Sequence, residues 1–276
     1  MSVDHLHERR IRCFPAAIIG DGRWAVNLKT LPIYFRLTEI PAYVNLFGNN
    51  DRWGRRGSAE LQILILILLV GPFYLNDFAG IYIKDWRLWL WIDYAGVKLL
   101  PLGVALWLIR SKRMPPAEFG LTTKGIPTFI AVFLVVTLVG ALIDQNGYLL
   151  IKNLPDYGPL GGMPAIASPV WNGIDLTVGL LLVGIVEELI FRGYMRTFIG
   201  RYTGNAFAIV AISSAAFGLI HWSLGLHAVL VTSVIGAVFM AAYLRTRSLP
   251  AIMLAHFAIN FIDFAGVVPK AIFQWV

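Results

Sequence analysis

Glu187, Glu188 and Arg192 stand inside the apolar stretch LLVGIVEELIFRG of residues 181–193. An ionised side chain near the middle of a bilayer costs roughly 2.5 to 3.5 kcal/mol, so three such residues close together need a reason. Glu188 and Arg192 are four apart, share one face of a helix and can form a charge-assisted pair. Glu187 points about 100° away on a 3.6-residue helix, where its neighbours four apart are Val183 and Phe191. Without a local partner, Glu187 either meets a polar group on another helix and holds the bundle together, or is a carboxylate kept ready for proton transfer. Gly184, one turn back, permits close approach of a second helix.

Two further pairs at helical spacing can supply the rest of a site. FGLIH puts Phe217 and His221 on one face, and HFAIN does the same for His256 and Asn260. A lone histidine in a helix is more often a hydrogen-bonded structural residue. Two histidines, an asparagine and an unpartnered glutamate on three separate apolar runs satisfy one another only if they converge. His227 falls at a tight connection and reads as an interfacial histidine near that cluster.

The elements that position these residues are membrane helices. The chain has 276 residues, 58% of them hydrophobic and only 14% charged, against about 25% charged in soluble domains, and its mean hydropathy is +0.69. Apolar runs near 61–79, 88–109, 126–146, 173–191, 206–222, 226–244 and 249–268 are each about the length a helix needs to cross the hydrocarbon core. The expected fold is an all-α, polytopic transmembrane bundle of about seven to eight spans. Residues 1–60 form a basic cytoplasmic or membrane-surface region, and 61–276 the transmembrane domain, with its site-bearing core at about 173–268. The loop NLPDYGPLGGMPAIASP is a lid or a connector.

The net charge of +7 does not need nucleic acid to explain it. Alternating spans put eighteen Lys and Arg residues on one side and four on the other, the asymmetry of a cytoplasmic N-terminus. The single cysteine, Cys13, rules out an internal disulfide and a cysteine metal cluster. Of the other charges inside the runs, Asp144, Asp175 and Asp263 lie near run ends, and Lys98 snorkels or pairs with Asp93.

The three motifs, EExxxR at Glu187, Glu188 and Arg192, FxxxH at Phe217 and His221, and HxxxN at His256 and Asn260, occur in the order seen in a known family. The chain resembles the CAAX-protease and bacteriocin-processing family of intramembrane endopeptidases, also called the abortive-infection family. The resemblance covers the C-terminal third of the chain. It implies that Glu187 and His221 activate water, that His256 and Asn260 stabilise the oxyanion, and that Glu188, Arg192 and Phe217 support them.

Glu187, His221 and His256 are also a zinc-type donor set, but HExxH is lacking and a metal-free site is the first expectation. A divalent metal such as zinc is the alternative. The expected substrate is a membrane-associated protein or peptide cut near a membrane-embedded or lipidated end, and the expected location is a prokaryotic plasma membrane. The competing functions are a non-catalytic immunity or scaffold protein and, third, a transporter built on Asp93, Lys98 and Asp144. The site is expected to open on the cytoplasmic side, where Arg192, Arg196 and Arg201 fall.

Overall fold

The computed structural model describes residues 59–122, 125–266, 268–269 and 272–273; the basic region 1–60 lies almost wholly outside them. Among the described residues eight helices follow one another, and no strand occurs beyond an isolated bridge between Leu121 and Ser248. They are α1 (Ala59–Tyr82), α2 (Trp86–Arg110), the single turn α3 (Pro116–Phe119), α4 (Ile126–Ile151), α5 (169–199), α6 (Ala206–Leu219), α7 (Leu226–Thr246) and α8 (Leu249–Phe264).

Local chemistry sets the helix starts. Asp85 accepts from the N–H groups of Arg87 and Leu88 to open α2, Asn205 does the same with Phe207 and Ala208 for α6, and Ser168 followed by Pro169 opens α5. Such caps satisfy N–H groups that have no partner inside the helix. At the start of α7 the chain turns at Gly225 with φ of 108°, a conformation glycine adopts without a steric penalty.

Among the described residues four helices, α1, α2, α4 and α7, are long and apolar enough to cross a membrane, and the chain is a helical membrane bundle. Side chains such as Ile63, Ile67, Leu134 and Leu138 lie exposed on its outside, where acyl chains take the place of water. The sequence reading of seven similar spans needs one correction. α6 has 14 residues and α8 has 16, about 21 and 24 Å at 1.5 Å per residue, short of a hydrocarbon core of about 30 Å.

α6 stops early because the backbone tightens into one turn of 3-10 helix at Trp222–Leu224. Backbone outside regular helix is tolerated at membrane depth only where protein or a polar cavity satisfies it. Here the N–H of Ser223 donates to Asp77, its carbonyl accepts from Leu160, and the Trp222 carbonyl accepts from the Tyr157 hydroxyl. The loop read as lid or connector is therefore fastened to this turn through Tyr157 and Leu160.

Two packing relationships matter for the site. α6 and α7 form an antiparallel hairpin, and α8 lies against both α4 and α5. A Cβ at Gly184 would come within 2.8 Å of the Met253 carbonyl oxygen and 3.1 Å of the Phe257 nitrogen, so the missing side chain is what lets α5 and α8 touch backbone to backbone. That contact brings the Glu187 segment beside His256.

Candidate active site

Glu187 and Glu188 end an α-helical stretch of α5, and the residues that follow, Leu189–Tyr194, form a wider π-helical turn. Glu188 and Arg192 are both fully buried, with Arg192 Nη1 3.0 Å from Glu188 Oε1. The same carboxylate oxygen lies 2.9 Å from Nδ1 of His256 on α8. Glu188 thus does more than order its own helix: it ties α5 to α8 and fixes the histidine ring.

Glu187 also faces His256. Its Oε2 is 3.7 Å from His256 Nε2, too long for a hydrogen bond, and makes none among the described residues. The ring of His256 therefore spans two carboxylates, Nδ1 toward Glu188 and Nε2 toward Glu187. A carboxylate at Nδ1 makes that nitrogen the N–H donor, so Nε2 is the atom offered to Glu187 and to the space beside it.

On α6, His221 Nδ1 lies 3.1 Å from the Phe217 carbonyl oxygen. A carbonyl only accepts, so Nδ1 carries the hydrogen, and in the neutral ring Nε2 keeps its lone pair. The Phe217 ring sits among the site's other parts: its centroid is 5.4 Å from that of His221, 5.9 Å from that of His256 and 4.2 Å from the Arg192 guanidinium carbon. Arg192 is capped on another side by Phe239 at 5.0 Å, which also packs edge-on against His256. Phe239 was not foreseen, since one aromatic in an apolar run carries no signal of its own.

Glu187, His221, His256 and Asn260 line one cavity of about 460 Å³, so the four come together as their spacing suggested. Glu188, Arg192 and Phe217 lie behind them. Asp77, Asp93, Lys98, Asp144 and Asp175 line the same cavity. Asp175 and Asp144, read from the sequence as run-end residues, belong to its wall, and Asp77 was overlooked because it sits at the end of the first run. His227 also lines it, with Nδ1 3.2 Å from Asp156 and Nε2 3.1 Å from the Leu154 carbonyl oxygen.

The position of the cavity corrects the expected opening. Its walls include Gly80, Trp89, Tyr148, Gly162, Leu224 and Phe264, residues from the helix ends remote from the basic connections at 110–113, 201 and 245–247. Arg192 does not mark a mouth, because its guanidinium is folded inward under Phe217 and Phe239.

Residues 169–262 match the family model described as Type II CAAX prenyl endopeptidase Rce1-like. This stretch is a CAAX-protease family domain. It takes in all three motifs, from Glu187 to Asn260. The CAAX-protease family is one of membrane proteases, which are hydrolases. The chain matches no curated protein and no solved structure.

Among the described residues no three His, Cys, Asp or Glu side chains converge as a metal-holding group. The Nδ1 atoms of both histidines are held, that of His256 by Glu188 and that of His221 by the Phe217 carbonyl, which leaves the Nε2 atoms as the ones available to a guest.

Proposed function

We propose that the chain is an intramembrane endopeptidase of the CAAX-protease type, which hydrolyses a peptide bond near a membrane-embedded or lipidated end of its substrate. The observation that carries this reading is the convergence of Glu187, His221, His256 and Asn260 from three helices on one cavity, with the His256 ring held between Glu187 and Glu188.

Glu187 is the base. It takes a proton from a water molecule that is also oriented by the lone pair on His221 Nε2, and the water oxygen bonds to the carbonyl carbon. Charge moves to the carbonyl oxygen, which accepts from the Asn260 side-chain amide, with the His256 imidazole turned by Glu188 to the same space. Collapse of this intermediate breaks the C–N bond, and the proton held by Glu187 passes to the leaving amine. Glu188 keeps His256 turned to the cavity, and Arg192 balances the charge of Glu188.

We place the protein in the plasma membrane of a prokaryote with its N-terminus and basic loops cytoplasmic. The experiment that tests the function compares membrane-proteome termini in cells making wild-type protein or Glu187→Gln at equal levels. Cleavage products present only with the wild type support hydrolysis and name the substrate. Identical termini, with the cellular phenotype kept by Glu187→Gln, overturn it in favour of an immunity or scaffold role.

A further inference from the structure

The wall that Lys98 contributes to the cavity is built with as much care as the one that carries Glu187. Asp93–Leu99 in α2 and Asp175–Gly179 in α5 are both π-helical, a local widening that is rare and frequent at functional sites. With the wider turn, residues five apart stack, and the Lys98 ammonium pairs with the Asp93 carboxylate on its own helix. Tyr94 donates to Asp175 Oδ1 at 3.0 Å, and a Cβ at Gly179 would overlap that carboxylate and lie 2.7 Å from the tyrosine hydroxyl.

Helix packing alone does not account for the lysine. The Asp93–Lys98 pair lies within one helix, and the contact of Lys98 with Asp175 across to α5 is at ion-pair range only, whereas Tyr94 donates to that carboxylate directly and bridges the two helices. Lys98 has three N–H donors. One serves Asp93, and Asp175 Oδ1 is 4.0 Å away, beyond hydrogen-bond reach. The remaining donors meet no oxygen acceptor among the described residues; the ammonium lies 4.4 Å from the centroid of the Tyr94 ring, a cation–π contact, and the side chain is only 4% exposed. A buried donor without an acceptor is costly, and this one lines the cavity. The carboxylates around it, Asp77, Asp93, Asp144 and Asp175, offer acceptors only, so Lys98 is the cationic hydrogen-bond donor among them for a guest.

We propose that Lys98 is a substrate-binding residue, whose ammonium donates to an acceptor oxygen of a peptide held in the cavity, either a main-chain carbonyl or a chain-terminal carboxylate. Asp93 holds the ammonium in place, and the Tyr94–Asp175 bridge keeps the two π-turns in register. This deepens the proteolytic reading and rests on it for the class of ligand.

The test uses the full-length protein in lipid nanodiscs and a fluorescein-labelled, farnesylated cysteine peptide with three further residues, made as the free acid and as the C-terminal amide. Binding is read by anisotropy, cleavage by chromatography and folding by thermal unfolding. Lys98→Met is expected to weaken binding at least about tenfold and Lys98→Arg by much less, since Arg keeps the donors and charge. An effect confined to the acid assigns the oxygen to the terminal carboxylate; an equal effect on acid and amide assigns it to a main-chain carbonyl.

Unchanged binding by folded Lys98→Met overturns the proposal. If that variant does not fold, Asp93→Asn combined with Lys98→Met removes both charges together, and wild-type binding by a folded double variant overturns it as well. Loss of folding in both variants makes the cluster a structural bolt, which also ends the proposal. Failure of the proteolytic reading gives a different pattern: the wild type then binds the peptide through Lys98 without cutting it, or does not bind it at all while Lys98→Met is as stable as the wild type; the second result sinks both readings.

Discussion

Oε1 of Glu188 lies 3.0 Å from Arg192 on its own helix and 2.9 Å from His256 on another, so one buried oxygen serves a cation and an imidazole together. The neighbouring carboxylate, Glu187, has no such commitment. Substitutions at the two positions should therefore behave differently. Glu188→Gln leaves the guanidinium of Arg192, 1% exposed, without its counter-charge, and breaking a buried pair in this way costs about 3–5 kcal/mol. Glu187→Gln should abolish cleavage while keeping the unfolding temperature. Thermal unfolding and cleavage measured on both variants separate the two roles, and equal stability losses would refute the distinction.

Gly184→Ala should strain the contact between α5 and α8, because the new Cβ would stand 2.8 Å from the Met253 carbonyl oxygen. Backbone cannot rotate out of the way as a side chain tip can, and the expected loss is about 1–3 kcal/mol, with a fall in activity as His256 shifts from Glu187. Gly103→Ala meets nothing within 4 Å and is the matching control, expected to be neutral or slightly stabilising because alanine favours the helix. Unfolding midpoints of the pair decide it.

The segment between α4 and α5 should loosen in acid. Asp156 accepts from the N–H of Leu226 at 2.7 Å and lies 3.2 Å from His227. Desolvation acts upward on its carboxyl, but the backbone donors of Gly158 and Leu226 and the charge of His227 outweigh it, so its pKa is below the ordinary value. A depressed carboxylate pKa means that the unfolded form holds the proton more tightly, so this contribution is present above a pH of about 4 and fades as pH falls through the folded value. The protection factor of the Leu226 amide, taken relative to the intrinsic exchange rate at each pH, should fall on acidification in the wild type and be low at all pH values in Asp156→Ala, which removes the acceptor. An unchanged profile in that variant would show the loop to be held by other contacts.

Chelation should leave catalysis intact. The metal-free mechanism proposed above uses Glu187 as base and the two histidines, oriented through Nδ1 by the Phe217 carbonyl and Glu188, as hydrogen-bonding groups. Purified protein treated with a strong zinc chelator is expected to keep its cleavage rate, with less than one equivalent of tightly held metal by elemental analysis. Loss of activity restored by zinc would replace the carboxylate mechanism.

Much of the bundle is legible in the sequence because hydropathy and helix length are linked by the thickness of the bilayer: each apolar run is found on a helix. The four cavity residues are legible because unpartnered polar groups on separate apolar runs have to find one another. The link from Glu188 to His256 is not, since the residues are 68 apart and Glu188 already has a partner four residues away. The spare lone pairs of that carboxylate were the available hint. The π-turns at Asp93 and Asp175 escape a 3.6-residue reading, although the five-residue spacing of Asp93 and Lys98 fits the wider turn. The ends of α6 and α8 escape it too, because hydropathy continues through the tight turn at Trp222.

The shortness of α6 and α8 carries a consequence for the lipid. A spanning element some 6 to 9 Å too short is matched by thinning of the bilayer around it. Both helices contribute to the cavity that holds His221 and Asn260, so headgroups and their hydration would sag toward the site on those flanks. Water for hydrolysis would then arrive through a dimple in the membrane itself, and a substrate anchored in the surrounding leaflet would be lowered toward Glu187 without leaving its lipids.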